Sequence, residues 1–254
     1  MSDMSEQTGR VVVITGGGSG MGRACAAAFA EAGAEVAILG RTEETLRAAA
    51  QGLGQRIWWI QADVSRRDDV ERAVAAILAR HGQVDVLVNA AGFARGVAAD
   101  TPLDAAERDW DATVGANLKG AFLMAVALAP HLTRPGGRII NISSIAAYTG
   151  GSRGGALDYA AAKAGLHGLT MGLARDLSAQ GITANAIAPG FIAETGFTGG
   201  WSAERVRQIV GETPAGRAGR ADDVAAAVLF LASSAASFIT GEVLNVNGRW
   251  LFGR

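Results

Sequence analysis

An α/β fold, a doubly wound parallel seven-stranded sheet with helices on both faces in a single domain, is the class this sequence predicts. Three observations predict it. Seven short apolar or β-branched runs recur along the 254 residues. They lack polar alternation, as strands buried on both faces do, and helix-length segments separate them. A glycine-rich turn joins the first run to the first helical pattern, as expected of an open sheet that takes ligands at the carboxyl ends of its strands.

Val11–Thr15 is the first strand, and Thr15-Gly16-Gly17-Gly18-Ser19-Gly20-Met21-Gly22 is the turn that follows it. Ala24, Ala27, Ala28, Phe29 and Ala32 then recur at helical spacing, and Gly33 supplies the stop. The remaining strands are Glu35–Leu39, Ile57–Gln61, Val84–Val88, Arg138–Ile142, Ile182–Ile187 and Glu242–Val246. Irregular stretches at Ala90–Ala105, Ser143–Leu157 and Pro189–Ser202 each follow a strand, so they should wall the ligand crevice. Residues 1–10 are polar and expected to be poorly ordered, leaving 11–254 as one domain with no linker.

Composition narrows the function. The chain has 35 Gly and 5 Pro, about twice and under half the usual shares, a balance foreign to collagen and to most low-complexity disorder. A net charge of −1 gives no electrostatic footprint for nucleic acid or an anionic membrane. Cys25 is the single cysteine, and His81, His131 and His167 are too scattered for a metal-ligand pattern, so no metal is expected. A cytoplasmic, reducing setting fits. The longest uncharged run, Val224–Gly241, carries four hydroxyl side chains and reads as a buried helix followed by a turn, not a membrane span.

Glycines in the turn after the first strand let backbone N–H groups approach a phosphate at a helix N-terminus. Gly16, Gly20 and Gly22 give G-x-x-x-G-x-G, distinct from G-x-G-x-x-G, and the loop lacks the lysine of a mononucleotide P-loop. At the end of the second strand Gly40 stands where an acid would hold a ribose, and Arg41 supplies a cation for a 2′-phosphate, which favours NADP (NADPH) over NAD. Tyr159 and Lys163, at i and i+4, share a helix face. A phenol with an ordinary pKa near 10 needs a neighbouring cation to exchange protons at neutral pH, and Lys163 can be that cation.

In this order, the glycine loop, Asn89-Ala90-Ala91-Gly92, Asn117, Ser144, Tyr159-x-x-x-Lys163 and Pro189-Gly190 resemble the short-chain dehydrogenase/reductase family, from Val11 to Gly248. The resemblance implies a Rossmann-like fold and an NAD(P)-dependent oxidoreductase. It makes Tyr159 the general acid/base, and Lys163 the group that lowers its pKa and binds the nicotinamide ribose. Ser144 becomes the donor to the substrate oxygen, and Asn117 the anchor of a water linking Lys163 to solvent. Further cofactor contacts implied are Ser19, Met21, Thr42, Asp63 and Val64, the Asn89–Gly92 loop, Pro189, Gly190, Ile192 and Thr195. Ser143 rivals Ser144, and the stretch from Ser144 to Tyr159 is about two residues longer than the family pattern, a length the glycines at 150, 151, 154 and 155 can absorb. Phe93, Ala94, Ile145, Ala146, Tyr148, Phe191, Phe197 and Trp201 form an apolar substrate wall with Arg95 and Arg153 nearby, and Thr195–Ser202 reads as a lid. The expected activity is NADPH-dependent reduction of a ketone such as a 3-oxoacyl thioester, in a homotetramer paired through the helices carrying Asn117 and Tyr159. An NAD-dependent secondary alcohol dehydrogenase and a non-catalytic NADP-binding regulator are the alternatives. Gly150-Gly-Ser152-Arg-Gly154 matches the nucleophile elbow of hydrolases, but its serine lies too far beyond the strand.

Overall fold

The computed structural model describes residues 7–152, 154–196 and 198–251. Seven parallel strands form one sheet: β1 (Val11–Thr15), β2 (Glu35–Gly40), β3 (Ile57–Gln61), β4 (Val86–Asn89), β5 (Arg138–Ile142), β6 (Thr183–Pro189) and β7 (Val243–Val246). Their order is β3-β2-β1-β4-β5-β6-β7. The chain winds outward from β1 in one direction and then returns to build the other half from β4. The crevice therefore opens beyond the carboxyl ends of β1 and β4, where the winding reverses.

Both faces are covered, which explains the unbroken apolar runs. Val12 and Ile14 pack into one core with Phe29, Ile38 and Val228. Val11 and Val13 turn to the other, with Ile77, Leu87, Met124 and Leu173. The helices are α1 (Gly20–Glu31), α2 (Glu43–Leu53), α3 (Arg67–His81), α4 (Leu103–Val114), α5 (Gly120–Leu128), α6 (Ala146–Thr149), α7 (Leu157–Leu177), α8 (Ala203–Glu212) and α9 (Ala221–Ala232). A π-helical turn, Gly115–Lys119, joins α4 to α5 and carries Asn117.

Three local features depart from the sequence reading. β4 begins at Val86, because Val84 makes an isolated bridge to Leu132. β6 runs on to Pro189, whose neighbour Gly190 lies against Asn247. Residues 7–10, expected in a loose lead, are instead fastened to the domain. Gln7 is buried, the Gly9 amide donates to the Gly33 carbonyl at 3.2 Å, and Arg10 donates to the Ala232 carbonyl at 2.6 Å. The uncharged run from Val224 begins in α9, where Val224, Val228 and Leu231 are buried, and continues beyond its end at Ala232 through the 3-10 turn Ser234–Ala236. The 29-residue helical run Leu103–His131 is long and apolar enough to cross a membrane by length and composition alone.

Candidate active site

The turn after β1 is built for close approach. Gly16 has φ +70°, and a Cβ there would lie 2.9 Å from the Ala90 carbonyl oxygen and the Ala91 Cα. At Gly22 a Cβ would come within 2.4 Å of the Gly16 carbonyl oxygen. The glycines therefore let the turn fold onto itself and onto the end of β4. Thr15 holds that junction, its Oγ1 accepting from the Ala90 and Ala91 amides at 3.0 and 3.1 Å. Ser19 caps α1 in extended backbone with no side-chain hydrogen bond, and no acid occupies the first turn of α1. The amino end of α1 thus presents donors to an anion.

Two cavities meet at this turn. The larger, about 650 Å³, is lined by Gly16, Ser19, Gly20, Met21 and Gly22, and across from them by Ala90, Pro189, Gly190, Ile192 and Thr195. The smaller, about 220 Å³, is lined by Arg41, Thr42, Asp63, Val64 and Ala91. Gly16, Ser19, Gly92 and Phe93 border both, so the pair forms one elongated cleft. The glycine turn and the amino end of α1 lie on its wall where the two cavities share residues, which places unpaired helix donors beside it as an anionic cofactor would require. Asn89 departs from expectation. Its side chain is buried in the sheet and donates to Asn141 Oδ1 at 2.9 Å, so it lies on neither wall. Asp63 Oδ1 is engaged by the Ser65 amide and hydroxyl at 3.0 and 2.7 Å. Arg41 is exposed, and its guanidinium lies 4.8 Å from the Phe93 ring centroid, with that of Arg95 at 5.3 Å.

The larger cavity brings Asn117, Ser144, Tyr159 and Lys163 together. Tyr159 hydrogen-bonds Ser144, whose Oγ also accepts from the Ala146 amide at 3.1 Å. Lys163 Nζ lies 5.6 Å from the Tyr159 ring centroid and donates to the Ile142 carbonyl at 2.8 Å. Asn117 Nδ2 donates to the Phe93 and Thr113 carbonyls at 2.7 and 2.9 Å. Its buried Oδ1 has no hydrogen-bond partner among the described residues. A Cβ at Gly92 would sit 2.3 Å from that oxygen and 3.4 Å from Lys163 Nζ, so only glycine leaves this space open. The stretch between Ser144 and Tyr159 holds α6 and the positive-φ glycines Gly150, Gly151 and Gly155.

Burial pushes the Tyr159 phenol up to about 12, against a downward pull from its Ser144 hydrogen bond. Burial also pulls the Lys163 ammonium down to about 7, and it is burial and the Ser144 bond, not Lys163 as the family resemblance implies, that move the Tyr159 value here. At neutral pH Tyr159 therefore holds its proton. Phe93, Ala94, Ile145, Ala146, Phe191 and Trp201 line the same cavity, with Phe191 and Trp201 stacked at 5.3 Å. Phe197 and Arg153 lie outside the described residues. Tyr148 packs on Ala186, Ala188 and Val243 and faces the His167 ring.

Comparison with known proteins decides the family. The family model described as enoyl-(acyl carrier protein) reductase matches residues 16–248. The chain is 38% identical over 241 residues to the 3-oxoacyl-(acyl-carrier-protein) reductase FabG of Escherichia coli (strain K12), covering 94% of this chain and 96% of that one. It belongs to the short-chain dehydrogenase/reductase family. Another relative is the hydroxy(phenyl)methylsuccinyl-CoA dehydrogenase subunit BbsD of Thauera aromatica, 40% identical over 251 residues, with 96% of this chain and 97% of that one covered. A solved short-chain dehydrogenase/reductase from Brucella melitensis superposes with a TM-score of 0.91 at 35% identity, covering 98% and 99% of the two chains.

This short-chain dehydrogenase/reductase is an oxidoreductase acting on CH–OH groups with NAD(P). Several groups that shape its site escape the local motifs. Asp158, buried beside Tyr159, accepts from Thr113 Oγ1 at 2.7 Å and from the Val97 and Arg95 amides at 3.2 and 3.3 Å. Burial raises its carboxyl pKa, but these bonds, with one from the Tyr159 amide, outweigh burial and hold it below the ordinary value. Asp158 thereby fixes the loop after β4 and the end of α4 against α7. The π turn is the other addition: a wide helical turn of the kind found at functional sites, placing Asn117 against Phe93 and Gly92.

Proposed function

We propose that the protein is an NADPH-dependent reductase of a 3-oxoacyl thioester or similar apolar ketone, working as a homotetramer in the cytoplasm. The observation that carries the reading is geometric: Tyr159, hydrogen-bonded to Ser144 and with Lys163 Nζ 5.6 Å from its ring centroid, stands at a cavity continuous with the glycine turn. When bound, the nicotinamide supplies two electrons and a hydrogen to the carbonyl carbon. The developing alkoxide needs a proton and a donor already in place. Tyr159 Oη gives the proton, Ser144 Oγ donates a hydrogen bond to the substrate oxygen, and Lys163 stabilises the phenolate left behind. Asn117 Oδ1, an unspent acceptor near Lys163 Nζ, suits a water that returns the proton from solvent.

Gly40 and Arg41 at the smaller cavity support NADP, since a cation there accommodates a 2′-phosphate. Names of relatives support the acyl thioester: FabG is a 3-oxoacyl reductase, and BbsD acts on a coenzyme A thioester. BbsD, a dehydrogenase, also favours a second reading in which the chain oxidises a 3-hydroxyacyl thioester.

One panel tests this: NADPH oxidation with 3-oxoacyl thioesters, cyclic ketones and sugar-like ketones, repeated with NADH and with Arg41→Asp. The thioesters should give the highest kcat/KM with NADPH, and Arg41→Asp should shift preference toward NADH. Faster oxidation of 3-hydroxyacyl thioesters would favour the second reading. An unchanged cofactor ratio in Arg41→Asp would remove Arg41 from the phosphate site.

A further inference from the structure

Ser143 and His167 are reactive side chains beside the site that the proposed chemistry does not use. Ser143, which directly follows β5, is buried, and its Oγ donates to the Lys163 carbonyl at 3.0 Å. The same oxygen lies 2.8 Å from His167 Nε2. One hydroxyl proton serves one acceptor, so with that proton on the carbonyl, Nε2 is the donor of the second bond. Burial lowers the His167 pKa, and its ring rests on Tyr148 at 4.9 Å. Both bonds reach one turn of α7: Lys163 and His167 stand at i and i+4, and the Lys163 carbonyl is the group that the helix ladder pairs with the His167 amide.

That turn carries the catalytic lysine, and Ser143 is the neighbour of Ser144. Lys163 Nζ crosses back to the carbonyl of Ile142, the residue before Ser143. The end of β5 is therefore pinned to α7 three times within two residues, by side chains on both partners. Ser143 is no nucleophile here, since its oxygen is engaged by both the Lys163 carbonyl and His167 Nε2.

We propose that His167, acting through Ser143, is a positioning residue that sets the distance of Ser144 from Tyr159 and Lys163 for proton transfer. The inference rests on the reading of Tyr159 as the acid. It predicts loss of chemistry without loss of cofactor binding, because small misplacements of reacting groups cost rate steeply.

The test uses the full-length enzyme, the fastest ketone of the panel above, and NADPH or 4-deuterated NADPH, at a temperature where circular dichroism shows each variant folded. In His167→Leu, kcat should fall on the order of tenfold. Its primary isotope effect should rise, with KM for NADPH moving far less than kcat. His167→Gln, whose side-chain amide can donate to Ser143, should recover most of kcat, and Ser143→Ala should reproduce the loss. Wild-type kcat and isotope effect in His167→Leu would overturn the proposal, as would a His167→Gln enzyme no better than His167→Leu. If His167→Leu does not fold, Ser143→Ala, which removes one atom, is judged by the same criteria. Tyr159→Phe separates the two readings. Turnover retained in Tyr159→Phe defeats the acid assignment, whereas an inactive Tyr159→Phe beside a normal His167→Leu defeats the positioning role alone.

Discussion

Burial acts in opposite directions on Tyr159 and Lys163, raising the phenol and lowering the ammonium. Tyr159→Phe keeps the ring and removes only the hydroxyl, so on the proposed chemistry kcat should fall by roughly 10²- to 10⁴-fold while NADPH, followed by fluorescence, still binds. Lys163 makes a stability prediction. Its folded value, about 7, lies below its ordinary 10.5. Between those values the unfolded chain binds a proton that the folded chain has released, so stability rises with pH across the window. Below it the lysine is charged in both states and the cost of burying it is fully felt. Urea unfolding of the unliganded protein should show a midpoint that climbs from about pH 7 to about pH 9, roughly the lower half of the window, and Lys163→Met should flatten that climb. Equal slopes in the two proteins would contradict the assignment.

At the scale of elements, Asp158 ties α7, α4 and the loop after β4 into one body. Asp158→Ala would strand the Thr113 hydroxyl and the Val97 amide, and should cost about 3 kcal/mol in denaturant unfolding. Because its folded pKa is depressed, the contribution of Asp158 is present above the ordinary aspartate value and is lost as pH falls through the folded one. The strands were legible in the sequence because burial on both faces leaves an unbroken apolar run, as in Val11–Thr15 and Arg138–Ile142. The glycine turn and Tyr159 with Lys163 were legible because their geometry is local. Asp158 reaches partners 45 to 63 residues away, and Ser143 meets His167 across 24 residues, so no local spacing announces either. Gly115–Lys119 reads as ordinary helix, since nothing in its composition marks the wide turn. Asn89 follows the motif, yet its side chain turns toward Asn141, its register partner on β5, a pairing that no local spacing shows.

For the whole molecule, the exposed apolar side chains Leu103, Trp110, Phe122 and Val126 on α4 and α5, with Leu157 and Met171 on α7, are what the proposed tetramer would cover. Phe122→Glu or Met171→Glu should therefore shift sedimentation toward smaller species. A wild-type protein that sediments as a 25.9 kDa monomer would remove the assembly from the proposal. The π turn has a consequence for this surface. Along an uninterrupted α-helix, advancing about 100° per residue, Phe122 would lie about 120° around the axis from Trp110. A π turn absorbs one extra residue and withdraws about 100°, so the two rings differ by about 20° and fall on one stripe with Leu103 and Val126. The turn that presents Asn117 to the site thus also sets the phase of the outer helix. Straightening it would swing Phe122 and Val126 off the stripe as it withdrew Asn117, so the proposed subunit contact and the chemistry share a single point of failure.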